Sequence, residues 1–149
     1  MAQSTTTQNA CNVQAYVDNA SGTLTEISGS SNNASIDMST QTAETFTFQG
    51  QWSIRKACKT SATVSIQVLY SMTADEGLDI LRDWYFTNAG EIRTFQVDIP
   101  DSTNNSDRYS GEFVLESFNI PISADDAGVI LCSASLLNSG EFSHSTIVS

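Results

Sequence analysis

The sequence is short of the groups that do chemistry. It has one histidine, His144, and three cysteines, Cys11, Cys58 and Cys132, scattered along 149 residues. No two of them have metal-ligand or redox spacing, and no nucleophile stands beside a general base. Asp79 and Asp83 lie one helical turn apart, a spacing open to a carboxylate pair, but with Arg82 beside them they read as a solvated helix face. Asp125-Asp126 before Gly128 offers too few ligands for a calcium loop and reads as a turn. Phosphate-cradling glycine loops and dinucleotide fingerprints are missing. The reading is therefore not an enzyme, with no cofactor and no metal.

Cations are the next scarcity. Six Lys and Arg face 17 Asp and Glu, a formal net charge of −11. That balance excludes nucleic acid as a bound ligand, because affinity for it comes from neutralising phosphates. It fits a soluble surface, or a surface that repels nucleic acid. No apolar run approaches the ~20 residues of a membrane span, and the polar start Met1–Thr7 has neither the basic nor the apolar part of a signal peptide. Synthesis in a reducing cytoplasm without a membrane partner is expected, and Cys132, inside the apolar run Val129–Ala134, reads as a small buried thiol.

What the chain does have is a rhythm of two. Phe46, Phe48, Trp52 and Ile54 alternate with polar residues, as do Ala62, Val64, Ile66 and Val68, then Phe95, Val97 and Ile99, and finally Ile130, Cys132, Ala134 and Leu136. A pleated strand with one wet face needs this period. A first strand is expected at Val13–Val17, and residues 28–35 read as a low-complexity loop before a weak strand near Ile36. Gly50 sits in an apolar-phase position and suggests a bulge. The odd phase of Phe113 and Leu115 turns even at Phe118, so a bulge is expected near Glu116-Ser117. Residues 101–109 read as a loop, and Ser139-Gly140 as a turn into a polar tail. Thr73-Ala-Asp-Glu76 reads as a capping box opening a helix at about 74–87, with Leu78, Leu81 and Tyr85 on one face and Asn88-Ala-Gly90 as the stop. The fold class expected is mainly β: a two-sheet β-sandwich or barrel with one flanking α-helix. Arg55, Lys56 and Lys59 put half of the cations within five residues, at a connection between strands, and read either as a solvated tip or as a dock on an acidic neighbouring copy.

The order of these features resembles the major tail tube proteins of long-tailed, siphovirus-like bacteriophages. The resemblance runs from about residue 44 to 142. It is carried by Phe46-x-Phe48-x-Gly50-x-Trp52 leading into Arg55-Lys56-Ala57-Cys58-Lys59, by Ser61 to Tyr70, and by the helix from Asp75-Glu76-Gly77 through Trp84-Tyr85-Phe86. Arg93-Thr94-Phe95, Pro100-Asp101-Ser102, Ser110-Gly111-Glu112-Phe113, and Ser133 to Leu136 followed by Ser139-Gly140-Glu141-Phe142 complete it.

The resemblance implies a single domain over residues 1–149, with a polar segment at 1–11 and an extended loop or hairpin within about 39–59 that reaches a neighbouring ring. It implies self-association in the family's manner: stacked hexameric rings forming a virion tail tube, made in the host cytoplasm, through which DNA passes unbound during ejection. Tape measure, terminator and distal tail proteins are the implied partners. Gln51, Arg55, Lys56 and Lys59 are expected at subunit contacts, and Glu44 with Thr63, Ser65 and Gln67 on the channel side. Two rival readings use the same acidic β-rich chain: another phage structural protein (tail terminator, head–tail joining or capsid decoration protein), and a carbohydrate-binding or adhesin module.

Overall fold

A computed structural model describes residues 12–46, 48–72, 74, 76–100, 105–122 and 130–148. Their elements are β1 (Gln14–Asp18), β2 (Leu24–Glu26), β3 (Ser31–Thr45), β4 (Ile54–Leu69), α1 (Gly77–Phe86), β5 (Ile92–Pro100), β6 (Ser106–Asn119) and β7 (Leu131–Ile147). The chain is mainly β with one helix, as expected. The two separate sheets of the expectation are one antiparallel ladder, in the order β2-β1-β5-β6-β7-β4-β3.

That ladder has to curl. β2 and β3 are its opposite edges, yet only residues 27–30 connect them. Flat, seven strands would hold the edges roughly 29 Å apart, whereas the four-residue link reaches at most about 17 Å. The link is stitched to both ends of the ladder. Ile27 N–H donates to the Ala15 carbonyl (2.8 Å), Ala15 N–H to Ser28 Oγ (2.9 Å), and Leu69 N–H to the Ser30 carbonyl (2.8 Å).

Curling turns one face of every strand inward. Val64, Ile66 and Val68 of β4, Phe95 and Val97 of β5, Phe113 of β6, and Cys132, Ala134 and Leu136 of β7 share one core with Leu78, Ile80, Leu81 and Trp84 of α1. Cys132 is the buried thiol expected, and burial pushes its pKa up. The start of α1 is set from outside the helix. Ser30 Oγ accepts from Gly77 N–H at 2.9 Å, and Glu76 makes no side-chain cap. A Cβ at Gly77 would lie 2.9 Å from that same oxygen and 3.1 Å from Val68 Cγ1, so only glycine fits. Thr73 of the expected capping box lies outside the described residues.

Arg93 fixes the other end of α1. It points inward from β5 with its side chain 1% exposed, its guanidinium 5.4 Å from the centre of the Trp84 ring. It donates to Asp83 Oδ2 (3.1 Å), Glu91 Oε2 (3.0 Å), and the carbonyls of Asp18 (3.3 Å) and Ile80 (3.4 Å). Helix, β1 and β5 are joined through one fork that only arginine offers.

The structure corrects several boundaries. Residues 31–35 are strand rather than loop, because β4 supplies an antiparallel partner for each polar residue except Asn32 at a register shift. Phe46–Ile54 is not a strand: β3 ends at Thr45, β4 starts at Ile54, and Gly50 lies in the intervening tip instead of a bulge. Arg55–Ser61 is not a connector but the first half of β4. β6 begins at Ser106, and β7 continues past Gly140 to Ile147 by pairing with it. The helix is shorter than 74–87 and buries Trp84, while Tyr85 is exposed. The bulge near Glu116-Ser117 is present, as a register shift between Leu115 and Ser117.

Arg93→Ala is expected to lower unfolding stability by about 3 kcal/mol, through a cavity beside Trp84 and lost bonds to partners in α1, β1 and the turn before β5. Arg93→Lys should recover only part of that. Chemical denaturation checks both; a loss within 0.5 kcal/mol of wild type would show the fork to be dispensable.

Candidate assembly surface

β3 and β4 are longer than the core they cover. They pair from Ser31↔Val68 out to Thr45↔Ile54, but β4 pairs with β7 only over Thr63–Leu69. Residues 54–61 of β4 are all exposed, a projection of roughly 26 Å at about 3.3 Å per residue. Phe46, Phe48 and Trp52 stand at its tip, 75%, 111% and 84% exposed. The outer edge of β3 has no strand partner among the described residues, nor has β7 beyond Leu137 on its β4 side.

Asn138 makes the fork at which the hairpin leaves the sheet. Its Oδ1 accepts from Ala62 N–H at 3.0 Å, and its Nδ2 donates to the Gly140 carbonyl at 3.0 Å. The side chain takes the place of the next ladder bond, and β4 and β7 diverge. Between them opens a cleft of about 480 Å³ that includes Met38, Thr40, Thr60, Ala62, Gly140 and Phe142 in its lining.

Charge is divided between hairpin and body. Arg82 pairs with Asp79 (3.1 Å), Arg93 with Asp83 and Glu91, and Arg108 with Asp98 (2.9 Å). Tyr16, close to that last pair, stays a neutral phenol: burial first, then the Glu26 and Asp98 carboxylates, push its pKa up. The other three cations are on the hairpin. Arg55 lies 3.7 Å from Glu44, while Lys56 and Lys59 have no ion-pair partner among the described residues. The register shift between Gln41 and Thr42 sorts them by face. Arg55 and Glu44 fall on the side continuous with the core, and Lys56 and Lys59 on the other.

The outer face of the body is polar across four strands. Asn33, Ser35 and Asp37 of β3 stand opposite Gln67, Ser65 and Thr63 of β4. These in turn face Ser133, Ser135 and Leu137 of β7, which face Asn119, Ser117 and Val114 of β6. Glu116 Oε2 accepts from Ser135 Oγ at 3.4 Å. Asp37 and Glu116 therefore lie on a part of this face where no cation stands opposite, while Lys59 and Lys56 follow on the same side farther out, on the hairpin.

The model of the phage tail tube protein family matches residues 8–137, most of the chain. The chain belongs to that family. It is a structural, tube-forming virion protein and not an enzyme. No curated protein matches it in sequence. Its fold is shared with the tail of an empty gene transfer agent particle refined in C6 symmetry, at 19% identity and TM-score 0.71, covering 93% of this chain and 99% of that one. The SPP1 tail tube shares it at 14% identity and TM-score 0.70, over 96% and 80%. So does the tube-terminating cap of the anti-feeding prophage, at 10% identity and TM-score 0.66, over 100% and 96%.

For this tail tube family member the expected site residues divide into three places. Gln51 is at the exposed tip, and Arg55, Lys56 and Lys59 are on the stem of the projecting hairpin, which spans the stretch 39–59. Thr63, Ser65 and Gln67 share the polar outer face of the body. Glu44 is not with them; it is on the hairpin beside Arg55. Residues 1–11 and Asp125-Asp126 lie outside the described residues. Sequence reasoning missed Asn138 and Asp37. The only trace of the fork was a broken alternation after Leu136, where Leu137 and Asn138 precede Ser139-Gly140. No helix of the described residues is long and apolar enough to cross a membrane.

Asn138→Ala removes both fork bonds and is expected to cost about 1 kcal/mol. Amide exchange at Thr60–Ala62 should rise relative to Val64–Val68. Unchanged exchange at Ala62 would show that the fork does not depend on this side chain.

Proposed function

We propose that copies of this chain close into six-membered rings that stack into a tube, with the polar outer face of β6, β7, β4 and β3 as the wall of the channel. One observation carries this reading: every cation of the body is tied to a carboxylate within the domain, and the remaining three sit on the hairpin. Within the body the wall then exposes Thr63, Ser65, Gln67 and their Ser and Asn neighbours with Asp37 and Glu116, and no cation without a carboxylate; Lys56 and Lys59 lie on the same side but beyond the body, on the hairpin. A conduit for a polyanion needs that chemistry, because each phosphate–cation contact would hold the cargo through counterion release. A six-membered ring would repeat the −11 charge of each chain six times.

The hairpin serves contact between copies in this reading. Its exposed aromatics need cover, and Gln51, Arg55, Lys56 and Lys59 offer hydrogen bonds and positive charge to an acidic neighbour. Unpaired edges of β3 and β7, an aggregation hazard in a solitary domain, are completed by adjacent subunits. Tape measure, terminator and distal tail proteins are the partners proposed at the tube's lumen and ends.

Electron micrographs of concentrated protein should show tubes with six-fold cross-sections. Tubes of Ser65→Arg should co-sediment with linear duplex DNA at low salt and release it as salt rises, whereas wild-type tubes leave the DNA in the supernatant. Monomers alone under all conditions would refute the assembly. Assembled Ser65→Arg tubes that ignore DNA would refute the assignment of this face to the channel.

A further inference from the structure

The hairpin tip is one of two exposed aromatic clusters, and the second lies at the far end of the molecule. Tyr85 and Phe86 close α1, their ring centres 5.3 Å apart in an edge contact, and Tyr85 reaches Phe118 of β6 at 6.3 Å. Tyr85 is 42% exposed and Phe86 69%. Phe118 stands opposite Ala134, which stands opposite Ile66. Ile66 is twelve residues along β4 from Ile54 at the tip, a separation of about 40 Å. The tip of a chain cannot cover its own helix end.

The two clusters are also opposite in charge. The last turn of α1 has no basic residue of its own, so the partial negative charge at its carbonyl end, about half an elementary charge, is met only by the Arg93 guanidinium. Next to it Asp83 and Glu91 share the single guanidinium of Arg93. The hairpin brings Arg55, Lys56 and Lys59 behind its aromatics. Cations also favour the faces of exposed rings such as Tyr85 and Phe86.

Resting on the reading that copies stack into a tube, we infer that the hairpin tip of one copy docks on the C-terminal end of α1 in a second copy, Phe48 and Trp52 covering Tyr85, Phe86 and Phe118. The contact is heterologous: one patch meets a different patch at the opposite end of an identical molecule. Contacts of this type propagate rather than close in pairs, which is the geometry a stack of rings requires.

A photo-crosslinking benzoylphenylalanine in place of Phe48 tests this in assembled tubes made from a mixture of that chain and ¹⁵N-labelled wild type. Cross-linked peptides joining position 48 to residues 82–90 or to Phe118, with one label on each side, are expected. Cross-links gathered instead at the groove between β1, β5 and β3, around Val13, Ile36 and Ile99, would overturn the docking and leave the tube intact. Wild-type protein that forms no tubes overturns the tube reading, and the docking with it. Phe86→Glu, at a position too exposed to disturb the core, should raise the critical concentration for tubes at least tenfold while circular dichroism stays native. Tubes of that variant forming at the wild-type concentration would also overturn the docking.

Discussion

A strand has to satisfy its backbone along its whole length, but it needs a core only where its side chains are buried, and in β3 and β4 the two requirements part company. β4 has 16 residues, about 53 Å of extended chain, and its buried residues begin only at Ala62. Mutual pairing keeps the distal half regular. Nothing among the described residues covers its faces, which leaves the side chains of residues 54–61 open to a neighbour. The same exposure invites indiscriminate pairing along the open edge of β4 before Thr63. Lys56, Lys59 and the extra residue that β4 carries at the Gln41/Thr42 register shift counter that hazard, since charge and a local twist both spoil a flat edge for strangers. A neighbour with matching charge and shape is not excluded by either device.

The opposite end of the domain is held by polar groups placed under apolar ones. Ser30 accepts the first amide of α1, Ser28 accepts an amide of β1, and Arg93 gathers carbonyls and carboxylates from α1, β1 and the turn before β5. A buried guanidinium is a doubtful source of stability, because desolvation offsets much of its attraction to Asp83 and Glu91. Its effect here is geometric. With Arg93 holding Asp83 and the Ile80 carbonyl on one side of α1 and Trp84 beneath it, the helix cannot rotate about its axis. Tyr85 and Phe86 are left facing outward.

The parts of the fold that were legible in the sequence are those where alternation and burial coincide. β4 beyond Ala62, β5, the inner half of β7 and the bulge of β6 all follow from side chains entering one core. Elsewhere the signal and its cause separate. Phe46, Phe48 and Trp52 alternate as a buried strand does, but no surface among the described residues buries them, so the inference of a strand failed. Ser31–Ser35 and Ser139–Ile147 carry no apolar rhythm, and their strand conformation comes from partners distant in sequence. The closure of the sheet was illegible for a similar reason, as it depends on which strands become edges and not on any residue of the 27–30 link. Of the site, composition revealed the excess of acids over bases and the clustered cations at 55–59. The Asn138 fork, which aims the hairpin, is a single side chain acting through backbone atoms and leaves almost no pattern.

Magnitudes bear on how such a contact would work. Fully burying a large apolar side chain yields roughly 1.5–3 kcal/mol, so three tip aromatics supply about 5–9 kcal/mol gross. Losing translational and rotational freedom costs a comparable 4–15 kcal/mol or more. One hairpin on one helix end is therefore at or below the threshold of a stable pair. A ring that presents all its hairpins at once meets that cost nearly once rather than for each contact, and the later contacts form at high effective concentration. Weak single contacts repeated by symmetry would keep isolated copies soluble and favour growth only on a completed ring. Shortening the exposed aromatic set would move that balance, and so would enlarging it.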